Sequence, residues 1–532
     1  MKYFYLILAL LFILFLGIMT QKPLVRSQSN PDNPVSPPKI NSPLPMAKDS
    51  DVRKFGVIGD GKTLDTQALQ KAIDSTSESG GGTLMFPAGT YLTSSILLRS
   101  NVTLHLEKDA TILGSPVRTG YQKAHFFGLI LANQEKNIAI EGEGCIDGNG
   151  VLLAADTERL AKAGVLPNAN EGQRPLAIHF LKCQGVRIRG ITVKNSAMWV
   201  QEYRECEDLL IEKITVRSNV VHNNDGIDIT DCKRVIVRNC DVDSEDDGIC
   251  LKSYNPKSCC DDVLIEKCRV RSSCNAMKFG TGSKGGFKNV IIRDLEIYDT
   301  YQSAIALEMV DGGVMENITI SNIKISDCNN PLFIRLGNRN DGNPGSVDGI
   351  TISDIEAVIP RRPAGSKSRY WDYWRHYRVH LVTGLIVGLP GHPIKNVKLR
   401  NIKFKYGGIG KAPEPKHILL KDLAKVSQQT KDYPEAWRFG IVPAWGLYIR
   451  HAESVELDNV TLQVKDVDYR SAVLGDDVRR LSCKGLHILS AGKEPVIALH
   501  DVKGASFENT IPPKNTVEFI RKMGKTSGVK VP

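Results

Sequence analysis

Short segments in which apolar and polar residues alternate recur along most of the chain. One copy reads VLIEKCRVRSS from Val263, with β-branched residues at apolar positions and a polar break in the middle. Such alternation is typical of half-buried β-strands, and the break predicts a bend between two strands. The copies start at Val186, Leu209, Val235, Val263, Val290, Ile318, Ile350, Val397 and Val455.

Consecutive copies start 23 to 32 residues apart until two long insertions interrupt them. A period of this length is typical of a solenoid. Each unit is therefore predicted to form one coil of a parallel β-helix, which buries its inward face on its neighbours. Earlier coils are predicted from Asn101 and Asn137. Residues 66–82 have apolar positions at helical spacing and predict a short α-helix that caps the N-terminal edge of the solenoid.

The N-terminal residues carry Lys2 and then an apolar run over residues 3–19, which predicts an export signal. No small-x-small cleavage site follows, so a signal anchor that tethers the chain to a membrane is the alternative. We expect the chain to be exported, as a periplasmic, extracellular or outward-facing membrane-anchored protein.

Three regions follow from these patterns. Residues 1–20 are the signal peptide or signal anchor, and residues 21–50 form a linker rich in Pro and Ser. Residues 51–532 are predicted to form an all-β domain, with insertions near 360–381 and 407–443.

Composition narrows the class of partner. The 532 residues are 42% hydrophobic and carry a formal net charge of +10, which favours a polyanionic partner. Outside the first insertion no cluster of Lys and Arg interleaved with aromatic residues appears, so a nucleic-acid partner is not predicted. An acidic polysaccharide fits the charge. No residue argues for an oligomer, so a monomer is expected.

The chain has twelve cysteines, which would allow disulfides in an exported protein. Several stand in or beside the repeated strand segments, where a free thiol behaves as a small buried hydrophobe. Stacked core thiols are therefore favoured, and the state of the vicinal Cys259 and Cys260 is left open. No pair of C-x-x-C motifs appears, so no zinc site is predicted. The cysteines of the repeats are Cys232, Cys240, Cys250, Cys268 and Cys274.

Three carboxylates recur at the length of one coil. Asp225 in NNDGIDI precedes Asp246 and Asp247 in SEDDGICLKS by 21 and 22 residues. On adjacent coils they would stack about 4.8 Å apart, and their repulsion would raise at least one pKa. A raised and an unraised carboxyl make an acid and base pair suited to glycoside hydrolysis. The alternatives are plain turns and a calcium site that also uses Asp228.

These motifs resemble glycoside hydrolase family 28, the polygalacturonases and rhamnogalacturonan hydrolases. The segments VRKFGVIGDGKTLDTQALQKAID and GLPGHPIKNVKLRNI are similar to the family as well. The resemblance implies a single-stranded right-handed parallel β-helix and hydrolysis with inversion, without cofactor or metal. It also implies that Asp246 is the general acid, that Asp225 and Asp247 activate water, and that Asn223 binds substrate.

Departures from the family pattern affect the substrate. Asn275 stands where the galacturonases have a histidine, and Ala306 and Glu308 stand where they have the Arg and Lys that hold a galacturonate carboxylate. Simple polygalacturonase specificity is therefore not predicted. The rhamnogalacturonan hydrolases of the family also lack that histidine.

Other side chains are candidates for binding substrate. Lys252, Lys278 and Arg335 are candidate cations, together with Arg339. Glu308 would either pair with Lys278 or contact a neutral sugar hydroxyl.

Both insertions are candidates for the walls of a cleft. The first combines basic residues with aromatic rings that pack on sugars: Tyr370, Trp371, Tyr373, Trp374 and Tyr377. The second insertion is expected to bring Trp445 or His451 to a cleft wall.

The sequence thus predicts a glycosidase that cleaves a pectin-like polysaccharide containing galacturonate or rhamnogalacturonan. One alternative is a calcium-dependent polysaccharide lyase. The other is a non-catalytic, glycan-binding β-helix.

Overall fold

The computed structural model describes residues 36–40, 49–361, 382–410, 412–414, 417–490 and 492–531. The predicted export signal, most of the linker and the aromatic residues of the first insertion lie outside these residues. Within them, no helix is both long enough and apolar enough to cross a membrane.

The described residues form 36 β-strands, two α-helices and several short 3-10 helices. The α-helices are α1 (Thr66–Glu78) and α2 (Gly150–Lys162). The 3-10 helices are Val52–Phe55, Arg118–Gly120, Glu171–Gln173, Leu420–Lys425 and Ala436–Phe439. The first strands are β1 (Asp49–Asp51), β2 (Asp60–Leu64), β3 (Gly82–Phe86), β4 (Gly89–Thr93), β5 (Ile96–Leu97), β6 (Val102–Leu106), β7 (Ala110–Gly114), β8 (Gly128–Asn133), β9 (Lys136–Gly142), β10 (Cys145–Asp147), β11 (Leu176–Leu181), β12 (Gln184–Arg189), β13 (Thr192–Lys194), β14 (Gln201–Arg204), β15 (Glu207–Glu212), β16 (Thr215–Ser218), β17 (Ile227–Thr230) and β18 (Lys233–Arg238). The remaining strands are β19 (Asp241–Ser244), β20 (Ile249–Ser253), β21 (Cys260–Glu266), β22 (Arg269–Ser272), β23 (Met277–Ser283), β24 (Gly286–Ser303), β25 (Ile305–Met309), β26 (Val314–Asn330), β27 (Phe333–Leu336), β28 (Ser346–Ile359), β29 (Gly384–Val387), β30 (Ile394–Tyr406), β31 (Ala444–Val464), β32 (Ser471–Ile488), β33 (Ile497–His500), β34 (Lys503–Glu508), β35 (Ile520–Met523) and β36 (Ser527–Lys530).

Parallel pairing arranges these strands in three ladders, one strand of each per coil. The first ladder includes β9, β12, β15, β18 and β21. The second includes β10, β13, β16, β19 and β22. The third includes β11, β14, β17, β20, β23, β25, β27 and β29. The prediction of a parallel β-helix is confirmed.

The nine predicted repeat starts are paired in one register along the first ladder. Val186 pairs with Leu209, which pairs with Val235, and the same register continues to Val455. It extends further than predicted, through Leu481 and Ala505. These residues are buried in the interior of the coils, since each inward face is covered by the coils above and below.

Helix α1 packs at the N-terminal edge of the solenoid, where its buried Leu69 and Ile73 join the main core. The predicted capping helix is therefore present. Helix α2 was not predicted. All twelve cysteines are free, and ten of them are buried. The prediction of core thiols is confirmed for Cys232, Cys240 and Cys268, whereas Cys250 and Cys274 are buried free thiols outside the apolar clusters. The vicinal Cys259 and Cys260 form no disulfide.

A second apolar cluster lies outside the coils. Strand β30 ends at Tyr406 and β31 begins at Ala444, and the intervening segment 407–443, called the second insertion below, packs on the outer face of the third ladder. Its Leu423 and Phe439 join Phe333 of that ladder in the cluster. The insertion therefore buries outward-facing side chains that a bare solenoid would expose.

Candidate active site

The predicted carboxylates lie on stacked bends that lead from the second ladder into the third. The amide of Gly226 donates to the carbonyl of Asp247 at 2.8 Å, and the amide of Gly248 donates to that of Asn275 at 2.8 Å. A Cβ on Gly226 would come within 2.5 Å of the Gly248 carbonyl oxygen. Glycine therefore follows Asp225 and Asp247 because the bends stack too closely for a side chain. The spacing argument for adjacent coils is correct.

Asp225 is buried and shares one ammonium group with Asp228. The Lys252 Nζ atom lies 2.6 Å from Asp225 Oδ2 and 2.6 Å from Asp228 Oδ1. It also lies 3.5 Å from the ring centroid of Trp199. Burial raises the pKa of Asp225 to about 7, while Lys252 opposes this rise and the charges of Asp246 and Asp247 add to it. Asp225 thus changes protonation near neutrality.

Asp246 is half-buried and opens toward solvent. Its Oδ1 accepts a hydrogen bond of 2.9 Å from the amide of Asp247. Burial raises its pKa well above the ordinary range, and the charges of Asp247 and Glu245 reinforce the rise. A carboxyl whose raised pKa lets it hold its proton to higher pH, in an open position, is suited to act as a general acid.

Asp247 is held from behind by two buried side chains. Its Oδ1 accepts a hydrogen bond of 3.0 Å from Asn275 Nδ2, and its Oδ2 lies 3.1 Å from Lys278 Nζ. Burial lowers the pKa of Lys278, but the charges of Asp247 and Glu308 outweigh it and hold that pKa well above the ordinary value. Lys278 therefore stays charged and fixes the orientation of Asp247.

Two glutamates complete the environment of Lys278. Glu308 Oε2 lies 3.8 Å from Lys278 Nζ, and Glu435 Oε1 of the second insertion lies 3.6 Å from it. Burial raises the pKa of Glu435 to about 7, with Lys278 opposing the rise. Burial also raises the pKa of Glu308 well above its ordinary range.

These groups adjoin a cleft of about 560 Å³. Asp225, Asp246 and Asp247 line it, so the predicted carboxylates open on one cavity. Trp199 and Tyr254 from the coils face the same cavity as residues from the second insertion. The insertion contributes Tyr433, Glu435, Trp437 and Arg438.

The predicted substrate-binding residues fall into two groups. Asn223 and Lys252 line the cleft. Asn275, Lys278 and Glu308 do not line it, because they are buried behind Asp247. The expected pairing of Glu308 with Lys278 is present, whereas Ala306 belongs to the apolar cluster beneath the insertion.

Arg335 lies away from the cleft. It is fully buried, and its NH2 donates to the carbonyls of Gln428 and Gln429 at 2.7 and 2.9 Å. Arg335 thus anchors the second insertion, which corrects its predicted role in binding substrate.

The expectation that Trp445 or His451 forms a cleft wall is also wrong. Trp445 is buried in the main core, and His451 Nδ1 lies 2.7 Å from Asp477 Oδ2.

Sequence reasoning missed Glu435 and Trp199 as residues of the cleft. Glu435 lies in DYPEAWRFG, a stretch without strand or helical period. Trp199 lies between β13 and β14, outside the repeated strand positions, so no periodicity points to it.

The calcium site considered for Asp225, Asp228, Asp246 and Asp247 conflicts with the geometry. The Lys252 ammonium occupies the space between Asp225 and Asp228, so a cation held by all four carboxylates would have to displace it. Among the described residues, two sets of three side chains could hold a metal ion, because the potential ligand atoms within each set lie within 4.8 Å of one another. The first set is His222, Glu245 and Asp246, and the second is Asp246, Asp247 and Cys274.

Comparison with known proteins identifies the family. The model of glycosyl hydrolases family 28 matches residues 81–358, slightly more than half of the chain. This chain belongs to glycosyl hydrolase family 28. The family match includes the coils that carry Asp225, Asp246 and Asp247, and it ends before the second insertion.

Relatives agree with this assignment. A probable polygalacturonase of Vitis vinifera is 27% identical over 340 residues, which cover 60% of this chain and 61% of that protein. An exo-poly-alpha-D-galacturonosidase of Dickeya chrysanthemi is 27% identical over 247 residues, or 37% of this chain and 41% of that protein. The chain thus spans less than two thirds of the length of each of these relatives.

A solved structure agrees at the level of the fold. The family 28 exopolygalacturonase of Yersinia enterocolitica matches with a TM-score of 0.58 and 19% identity, over 88% of this chain and 79% of that one.

Proposed function

We propose that this protein hydrolyses glycosidic bonds of a pectin-like polysaccharide, containing galacturonate or rhamnogalacturonan, with inversion at the anomeric carbon. The observation that carries the proposal is the opening of three carboxylates from adjacent coils on one cleft. Membership of family 28 supports the substrate class, as do relatives named as a probable polygalacturonase and an exo-poly-alpha-D-galacturonosidase.

Asp246 would donate a proton to the glycosidic oxygen as the bond to the anomeric carbon breaks. Its raised pKa supports this role, because the carboxyl must still hold a proton at the working pH. Asp225 and Asp247 would orient a water molecule and accept its proton as its oxygen attacks the anomeric carbon. Lys252 and Lys278 support the ionised forms of these two carboxylates.

Aromatic residues on both sides of the cleft support binding of a sugar chain. Trp199 and Tyr254 on the coils and Trp437 on the insertion all line it, and aromatic faces pack well against sugar rings. Asn223, which also lines the cleft, would contact a sugar hydroxyl.

The proposal includes export from the cytoplasm, as a periplasmic, extracellular or outward-facing anchored monomer that acts on plant cell wall polysaccharide. The proposed export rests on the apolar run at residues 3–19.

Product analysis of the purified protein tests the activity. Homogalacturonan, rhamnogalacturonan and neutral galactoside oligomers are incubated with it, while reducing ends, ultraviolet absorbance and anomeric configuration are followed. New reducing ends of inverted configuration without absorbance are expected on one substrate. An ultraviolet-absorbing product would identify a lyase instead. Binding without turnover would identify a glycan-binding protein.

A further inference from the structure

Among the acidic side chains that line the cleft, Glu435 has a buried carboxylate oxygen without a hydrogen-bond partner in the described part of the chain. The residue is only 6% exposed, yet it lines the cavity. Its Oε1 faces Lys278, whereas its buried Oε2 has no hydrogen-bond partner within the described part of the chain. A buried oxygen without a partner costs free energy that a donor from a bound molecule would recover. Sugar hydroxyls are such donors.

The surroundings of Glu435 disfavour a second carboxylate. Asp247, Glu308 and Glu435 all lie within 4 Å of the single ammonium of Lys278, so acidic groups outnumber the cation. Burial and the neighbouring carboxylates already raise the pKa of Glu308 and Glu435, so the further negative charge of a uronate ring beside them would be strongly disfavoured.

Cations on the wall of the cleft already have acidic partners. Lys252 lies between Asp225 and Asp228. Arg339 donates to both oxygens of Asp311, at 2.9 and 2.7 Å. Arg438 has the loosest contact, 4.0 Å from Asp432 Oδ1. Among the lysines and arginines that the structure describes along this wall, Arg438 is therefore the side chain most available to bind a carboxylate of the substrate.

We propose that Glu435 is a specificity-determining residue, which accepts a hydrogen bond from an uncharged sugar ring beside the scissile bond and excludes a ring with a free carboxylate. The inference rests on the proposed hydrolase function and names the ring that this site selects. The net charge of +10 still favours a polyanionic polymer, so the carboxylates of that polymer would lie on other rings.

Paired ligands that differ only in the charge of their rings test the proposal. Galacturonate oligomers are compared with the same oligomers after reduction of their carboxyl groups, which keeps the linkage and removes the charge. Affinities are measured by calorimetry with Asp246→Asn, so that the result does not depend on turnover. The second site is varied in that background as Glu435→Gln, Arg438→Gln or Glu414→Gln.

Asp246→Asn is expected to bind the reduced oligomer at least tenfold more tightly than the acid. Adding Glu435→Gln should weaken binding of the reduced oligomer and bring the ratio of the two affinities close to one. Glu414→Gln is the matched control, because Glu414 is an exposed glutamate of the same insertion that does not line the cleft. It should leave both affinities unchanged.

Tighter binding of the acid oligomer, with loss of that preference in Arg438→Gln and not in Glu435→Gln, would overturn the proposal. Equal affinities, or no binding of either oligomer, would also overturn it. If the expected affinity ratios are found while the parent protein hydrolyses nothing, the hydrolase function fails and the role of Glu435 in selecting the ring stands.

Discussion

Lys252 is the cation that favours the ionised forms of two buried carboxylates. Its ammonium lies 2.6 Å from both Asp225 and Asp228, and burial alone would favour the protonated forms of both acids. The lysine therefore makes an ionised base available at a site that would otherwise hold its proton.

Lys252→Met removes this charge while keeping an unbranched side chain. We expect loss of hydrolysis and a decrease of about 3–5 kcal/mol in the free energy of unfolding, because two buried carboxylates lose their cation. Denaturant unfolding and product assays measure both effects. Lys257→Met, which changes an exposed lysine a few residues away, should behave like the parent. A parental midpoint in Lys252→Met would contradict the pairing.

Asp246 should reduce stability at neutral pH. Its folded-state pKa is raised by burial and by the neighbouring Asp247 and Glu245, so the native state binds this proton more tightly than the unfolded state. The stability contributed by the protonated carboxyl is fully present below the ordinary pKa and is lost as pH rises toward the folded-state pKa.

Asp246→Asn should consequently unfold at a higher temperature than the parent at pH 8, by roughly 1–3 °C, and at nearly the same temperature at pH 4. The variant should also lack hydrolytic activity. Thermal scans across this pH range test the prediction, with Asp466→Asn as the control at an exposed aspartate. A midpoint difference that is the same at both pH values would contradict a raised pKa.

At the scale of the elements, bends within the long strands depend on residues in left-handed conformation. Asn401 in β30 has φ of 54°. It donates to Asp354 Oδ1 at 2.9 Å and accepts from Asn459 Nδ2 at 2.8 Å. Asn401 thus adopts a backbone conformation that most residues avoid, and its side chain links three coils.

Asn401→Ala and Asn401→Gly separate these two contributions. Both variants lose the hydrogen bonds, but only alanine also meets the steric penalty of positive φ. We expect the alanine variant to be less stable than the glycine variant by about 1 kcal/mol in denaturant unfolding. Equal stabilities would mean that the backbone conformation imposes no cost there.

The elements also explain what the sequence reveals. Alternation with period two and a coil-length repeat specify the register from Val186 to Val455, and the same spacing brings Asp225 beside Asp247. Lys278 also follows the repeat, since it pairs with Cys250 one coil earlier in the third ladder. Its burial depends on the second insertion, which covers that ladder. That insertion has no period, so neither its fold nor the position of Glu435 follows from a repeat.

At the scale of the whole molecule, the core of the coils holds most of the cysteines as free thiols. Ten of the twelve are buried, and only Cys145 and Cys259 are partly exposed. The burial of apolar strands between successive coils therefore stabilises the solenoid without disulfides.

Thiol counting tests this description. A thiol reagent should rapidly label two groups per native chain, Cys145 and Cys259, and at most one more slowly, Cys274, which lines the cleft but is only 3% exposed. All twelve should react after unfolding without reductant. The thermal midpoint should be the same with and without reductant. Fewer than twelve groups in the unfolded, unreduced chain would reveal a disulfide.

The stacked bends and the second insertion are anchored separately. Backbone hydrogen bonds between coils hold Asp225 and Asp247, whereas buried Arg335 and an outer apolar cluster hold the segment that carries Glu435. The two meet at Lys278, which lies 3.1 Å from Asp247 and 3.6 Å from Glu435. Mutations elsewhere in the described part of residues 407–443 can therefore accumulate with little effect on the carboxylates that would break the bond. The insertion is thus a largely independent evolutionary unit, through which descendants of one ancestor could acquire different sugar preferences while inheriting the same reaction.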